Sequence, residues 1–469
     1  MASLNLRRMD CASADGKEQF ASFRAELRAQ EDVVSPRSRE LTLKVFGEPL
    51  PPARVVERIC TDVRSRGLEA VLHYTEQLDG IRLNRDSLRI SSQELADAHA
   101  AAEPAFLESV RRVRHNVLSF QLGLLHTDAS LHVPGSHELR LRYRPMHRVG
   151  ICVPGGAAAY PSTLLMTVCP AQAAGVKQLA VVLPPTQNGA YNRDLLATCR
   201  ELGVSEVYRI GGAQAVAALA YGVDGLPPVD MIVGPGNVFV TLAKKHVFGQ
   251  VAIDCLAGPS EIVVLADDSA SPDFVAADLI AQAEHSPGVC ILITWHAPLL
   301  DEVVEALERQ LRKLPRGELA RDSLERFGML VRARSKKDAI SWANQIAPEH
   351  LHIETRDAEV LAERIDNAGA IFVGHFAPVA VGDYIAGPSH VLPTGGTARF
   401  ASGLSANDFL RRSSVLQFTR AGLECMADDV RLLANKEGLT AHAASVDIRV
   451  NKQESGIRNQ DSVAAVPGF

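Results

Sequence analysis

Apolar and polar positions change rhythm twice along this chain. Over roughly the first 120 residues Ala, Leu, Arg and Glu recur at helical spacing, and Pro52 to Arg66, stopped by Gly67, predicts one amphipathic helix. From Val149 onward, short β-branched runs alternate with helical stretches. The runs 149–153, 178–183, 206–210, 231–233 and 261–265 predict strands, and the alternation predicts βαβ units around a parallel sheet. A second set follows, with strands expected at 289–294, 328–331, 350–354 and 370–373 and helices at 272–285 and 298–314. Beyond Leu404 helical spacing returns, notably over 421–434, before a loose end containing Gly456, Pro467 and Gly468.

The fold class expected from this pattern is α/β: two Rossmann-like parallel-sheet lobes without a GxGxxG fingerprint, plus a helical N-terminal arm and a C-terminal helical tail. The expected division is an arm over 1–45, a first α/β domain from 46–149 with 262–404, a second over 150–261, and a tail over 405–469. At 469 residues the chain is long enough to bury more than one core.

Composition narrows the function. Lys and Arg total 49 against 55 Asp and Glu, with no long block of either sign, which speaks against a nucleic-acid footprint. The longest apolar stretches, 164–176 and 213–223, fall well short of the roughly 20 residues a bilayer span needs. Residues 1–30 mix acidic and basic side chains and lack an apolar core, so no secretory or transit segment is expected and the chain reads as cytoplasmic. The 8 cysteines show no CxxC spacing, which argues against a thiolate zinc site and a disulfide framework alike.

Neither GxGxxG, GxxxxGK, HExxH nor GxSxG occurs. Instead, glycine-rich turns follow the expected strands at 153–156, 211–214, 234–237 and 258–261. Glycine there lets backbone N–H groups approach a phosphate or ribose closely, and Gln214 and Asn237 are candidate cofactor contacts at two of these turns. Gln282 and His285 stand three apart near a helix end and share a face, offering an amide oxygen and an imidazole to one ion. Asp383 and His442 are further candidate ligands, although spacing alone does not select these four. Glu349 and His350 follow Pro348, which keeps its predecessor out of the helix, so a carboxylate and an imidazole sit together at a strand mouth where they can divide acid and base work.

Taken in order, the segments VGICVPGG, YPSTLLM, RIGGAQAVAALAYG, VDMIVGPGN, AGPSEIVVLAD, AADLIAQAEHSP, APEHLHIET, GDYIAGPSHVLPTGG and GLTAHAASVDIR resemble the histidinol dehydrogenase family over about residues 68–449. The resemblance implies NAD- and zinc-dependent oxidation of L-histidinol to L-histidine through bound L-histidinal, in a homodimer with shared active sites. It implies one zinc per subunit held by Gln282, His285, Asp383 and His442, a catalytic pair in Glu349 and His350, and NAD contacts from Gln214 and Asn237. Ser260 and Glu437 then join the zinc ligands and His350 around the substrate, with Glu437 facing its ammonium group. The tail would cross to the neighbouring subunit. Two positions depart from the family pattern: Cys152 stands where Tyr or Phe is usual, and Ser389 where Asn is frequent. Alternatives are a zinc and NAD dehydrogenase on the same scaffold acting on another polyol or a sulfonated diol, and a zinc hydrolase in which Glu349 activates water.

Overall fold

The computed structural model describes residues 4–451 apart from 12, 14, 17, 20, 24, 26–35, 157, 286 and 287. The loose C-terminal end with Gly456, Pro467 and Gly468 lies outside the described residues. In chain order the strands are β1 (Arg7–Asp10), β2 (Ala129–Val133), β3 (His137–Pro145), β4 (Arg148–Cys152), β5 (Gln178–Val182), β6 (Glu206–Tyr208) and β7 (Met231–Val233). They continue with β8 (Ala252–Ile253), β9 (Ser260–Ala266), β10 (Gly288–Thr294), β11 (Gly328–Arg332), β12 (His350–Glu354), β13 (Ala370–Val373) and β14 (Leu410–Phe418).

By contact the chain divides into two units, the larger made of 1–125 with 145–409 and the smaller of 126–144 with 410–469. In the larger unit a six-stranded sheet runs β1-β11-β10-β9-β12-β13 and a five-stranded sheet runs β6-β5-β4-β7-β8. Every strand pair in both is parallel.

Strand alternation sorts the six-stranded sheet's residues into two apolar layers. Ile262, Val264, Leu292 and Leu330 pack with the helices Pro272–Ala283, Pro298–Leu311 and Gly317–Phe327. Val263, Leu265, Ile291, Ile293, Leu351 and Ile353 point into the opposite layer, against Ala339, Ile340 and Ala343 of the helix Lys336–Ile346. A parallel sheet covered on both faces needs near-continuous apolar strands, which is why IVVL and CILI were readable as strands.

The helices Pro52–Arg66 and Leu68–Tyr74 contribute Val55, Val56, Ile59, Val63 and Val71 to the core of the five-stranded sheet, beside Val182, Tyr208 and Ile232. They thus pack with the segment 150–261 that follows later in the chain.

The sequence pattern missed two features. β1 adds to the edge of the six-stranded sheet within the segment expected to be wholly helical, pairing Arg7–Asp10 with Met329–Arg332. Its RRMD sequence carries one buried apolar residue, Met9, too little for periodicity to register. In the smaller unit β14 joins β3 and β2 in a three-stranded sheet, where the tail was expected to turn directly to helix. Every residue of β2 is exposed and β14 is mostly so, leaving no alternation to read.

Candidate functional site

The ends of the two parallel sheets meet around a cleft of about 260 Å³. Pro154, Gly234 and Asp254, just past the carboxyl ends of β4, β7 and β8, line one side. Ser260 and His350, the first residues of β9 and β12, line the other with Glu349, His285, Asp383, Tyr384 and His390. The five-stranded sheet therefore presents the edge at which open α/β sheets usually bind ligands, and the six-stranded sheet presents its amino edge.

The turn after β7 is held tightly. Gly234 has φ +102°, and a Cβ there would stand 2.1 Å from the Cys152 carbonyl oxygen, so only glycine fits. Its N–H donates to Asp254 Oδ2 at 2.7 Å, and its carbonyl accepts from Lys244 Nζ at 3.1 Å. Lys244 and Asp254 form a fully buried ion pair. Cys152 is itself buried, and burial pushes its thiol up to about 12, so it acts as a core side chain.

His350 opens β12 and Glu349 directly precedes it, with Ala347 and Pro348 linking the pair to the helix Lys336–Ile346. That helix ends at Ala347, which leaves the helix ahead of Pro348 as expected but does so in the left-handed conformation, φ 52°, rather than the extended one that a following proline favours. A chain of hydrogen bonds fixes the carboxylate: Gln282 Nε2 donates to Ser260 Oγ at 2.6 Å, Ser260 Oγ donates to Glu349 Oε2 at 2.6 Å, and the Glu261 N–H donates to the same oxygen at 3.0 Å. Using its amide nitrogen in this way leaves Gln282 with a carbonyl oxygen for another partner.

His350 Nδ1 donates to the Glu261 carbonyl at 3.3 Å, which sets the tautomer. Its Nε2 is buried without a hydrogen-bond partner, 3.6 Å from Asp383 Oδ1. Burial alone would push His350 down, but the charges of Glu349 and Asp383 outweigh it and hold the ring at about 9. Burial works against the Asp383 carboxylate, yet His350, His390 and His285 around it hold it below its ordinary range. The His390 Nδ1–H donates to the Asp383 backbone carbonyl at 2.9 Å and so helps place this residue.

Ser260, Gln282, His285, Glu349, His350 and Asp383, separated widely in sequence, thus gather in one place. Gln214 and Asn237 are not among the residues lining the cleft. Gln214 is buried in the helix Gly212–Tyr221, donating to Asp79 Oδ2 at 3.2 Å. Asn237 caps the helix Val238–Val247, its Oδ1 accepting from the N–H groups of Phe239 and Val240. Glu437 and His442 belong to the smaller unit, exposed on either side of the Gly438 turn.

Sequence reasoning passed over His390, Asp254, Thr394 and Glu261. The first three line the cleft, and Glu261 lies behind Glu349, buried and pushed up to about 7 by burial and then by the Glu349 charge. Asp254 and Glu261 each flank a glycine-containing turn, a weak signal. His390 and Thr394 had none beyond their place in the long segment after β13.

Two parallel sheets meeting at a polar cleft, with a buried acid and base pair and clustered imidazole and carboxylate groups, define an α/β enzyme of acid–base chemistry. The family model described as histidinol dehydrogenase matches residues 52–450. A histidinol dehydrogenase of Rhodopirellula baltica is 59% identical over 440 residues, covering 94% of this chain and 96% of its own. One from Geobacillus kaustophilus is 45% identical over 402 residues, covering 86% and 94%. The crystal structure of histidinol dehydrogenase from Elizabethkingia anophelis superposes with a TM-score of 0.85 at 30% identity, covering 96% of this chain and 99% of that one. The chain belongs to the histidinol dehydrogenase family, and it is an oxidoreductase acting on a small molecule.

Proposed function

We propose that the protein oxidises L-histidinol to L-histidine with NAD in two successive steps at this cleft, the last two steps of histidine biosynthesis. The observation that carries the reading is the His350 ring. Its Nδ1–H is committed to a backbone carbonyl, and its Nε2 is buried, unpartnered and beside Asp383.

Gln282, His285 and Asp383 of one subunit and His442 of its partner would hold one zinc ion. The donor set of two imidazoles, one carboxylate and one amide oxygen suits zinc, and the free carbonyl of Gln282 with the imidazole-ringed Asp383 fits that assignment. A zinc ion held there would supply Lewis acidity toward the substrate hydroxyl and would offset the Asp383 charge that helps keep His350 protonated. His350 Nε2 takes the hydroxyl proton as hydride leaves for NAD. For the second oxidation Glu349 takes a proton from the water that adds to the aldehyde, and Ser260 keeps its carboxylate oriented. Burial of Glu349 and His350 restricts water around them, which protects a reactive amino-aldehyde.

Glu437 would pair with the substrate ammonium. A carboxylate there disfavours a sulfonated diol, whose anion would call for Arg or Lys. NAD would lie along the glycine turns of the five-stranded sheet, near Gln214 and Asn237. In this reading the tail that starts at residue 405 packs on a second subunit of a homodimer; its part beyond residue 451 lies outside the described residues. Leu416, Leu432, Leu433 and Ile448 of the smaller unit are more than half exposed in the single chain, an apolar surface that association would cover. Among the described residues no helix is long and apolar enough to cross a membrane.

The test is NAD reduction by purified protein given L-histidinol, before and after chelation and after return of Zn2+. Activity that disappears with chelator and returns with zinc supports the reading. Turnover of ester or amide substrates with no NAD reduction would favour a hydrolase instead.

A further inference from the structure

β12 departs from the rule for a strand buried in a parallel sheet. All five of its residues are buried, yet only Leu351 and Ile353 are apolar and point into one core layer. Strand alternation places His350, His352 and Glu354 on the opposite face, toward the helix Pro272–Ala283. His350 is accounted for by the cleft. His352 and Glu354 lie further along the strand, toward its carboxyl end, and the proposed chemistry uses neither.

There His352 Nδ1 stands 2.6 Å from Asp278 Oδ2 and 3.6 Å from Glu354 Oε1. One ligand atom from each of the three residues lies within 4.8 Å of the others, and all three residues are buried. Two further observations point beyond an ordinary charge cluster. Glu354 is 0% exposed, and its Oε1 accepts no hydrogen bond. The other nitrogen of His352, Nε2, donates to the Gly374 carbonyl at 3.0 Å, the anchoring contact usual for a metal-binding imidazole, and it turns Nδ1 toward the two carboxylates. His375 Nδ1 lies 3.5 Å from Glu354 Oε2. The cluster opens on a pocket of about 400 Å³ lined also by Phe274, Phe376 and Pro378.

The geometry points to a second metal site, separate from the cleft, in which Asp278, His352 and Glu354 bind a divalent transition-metal ion with His375 beside them. One nitrogen and two carboxylate oxygens, with room for a fourth donor or water, suit zinc or manganese. Such an ion would tie the helix Pro272–Ala283 to β12. Asp278 precedes Gln282 by four positions on that helix, so the brace acts one turn before the residue that orients Ser260. In its absence a proton on His352 Nδ1 can bridge to Asp278, and this competing arrangement is what the experiment must separate.

The probe is Zn2+ alone. Full-length wild type, His285→Ala, Glu354→Gln and the double variant are stripped with chelator, reloaded, desalted and assayed for zinc per chain. His285→Ala should keep one ion, and the double variant should keep none. His375→Ala, at a partly exposed position, should weaken the retained ion about tenfold while leaving the fold intact, which guards against misfolding of the Glu354 variant. If His285→Ala retains no zinc and its thermal midpoint does not rise on adding Zn2+, the site is a buried imidazolium between carboxylates and the proposal is overturned. Should the cleft itself hold no zinc, wild type would bind a single ion that Glu354→Gln loses and His285→Ala keeps.

Discussion

Replacing Glu349 by Gln separates the two oxidations. Glu349 Oε2 accepts from Ser260 Oγ at 2.6 Å and from the Glu261 N–H at 3.0 Å, and a glutamine oxygen can accept both. The fold should therefore survive, with a cost of about 1–2 kcal/mol for exchanging charged for neutral acceptors. What disappears is the base. General-base assistance is worth about 10²–10⁴ in rate, or roughly 3–5 kcal/mol of barrier, and only the step that adds water to the aldehyde uses it. Oxidation of L-histidinal should fall by that factor, while oxidation of L-histidinol in a single turnover should fall by about tenfold or less. Stopped-flow absorbance of NADH with each substrate reads both. Equal losses in the two half-reactions would refute the assigned division between Glu349 and His350.

Three other expectations follow from particular contacts. Mixing inactive His285→Ala with inactive His442→Ala should restore activity if the partner's His442 completes each site, because one of the two sites in a mixed dimer is then intact; no recovery after subunit exchange would place His442 with its own chain. Gly288→Ala should lower stability and activity together, since a Cβ would stand 2.0 Å from the Gln282 carbonyl oxygen and push the helix end that carries Gln282; an unchanged thermal midpoint would show the backbone yields without cost. Glu261, raised to about 7 by burial and by Glu349, stays protonated in the folded chain below that pH, while the unfolded chain ionises near 4.5. Stability contributed by this group therefore falls as pH rises from the unfolded to the folded value, by about 3 kcal/mol. Glu261→Gln should accordingly melt higher than wild type at pH 8 and show little difference at pH 4, and a pH-independent difference would contradict the burial argument.

The parts of this fold legible in the sequence were those where both faces of a strand are covered. AVV of β5, IVVL of β9 and CILI of β10 are unbroken apolar runs and so announced themselves, whereas β1, β2 and β14 owe their pairing to backbone bonds with few buried side chains behind them. The site was legible in part. The three-residue step from Gln282 to His285 and the Pro348 boundary before Glu349 are local facts. The gathering of these groups around Asp383 is tertiary, and only the whole-chain resemblance anticipated it. Local reasoning made Gln214 and Asn237 candidate cofactor contacts because each sits at a glycine turn. It had no means of seeing that one amide faces Asp79 and the other caps a helix. His352 and Glu354 stood in plain view as a polar face on a buried strand, a contradiction of strand chemistry that alternation alone exposes.

The most direct measurement of the central claim is the number of NADH molecules formed per L-histidinol consumed by zinc-loaded protein, with excess NAD and with the product identified. Two per substrate and L-histidine as product would be the outcome of consecutive oxidations around Glu349 and His350. One per substrate with free L-histidinal released, or no NADH from zinc-loaded protein, would contradict it.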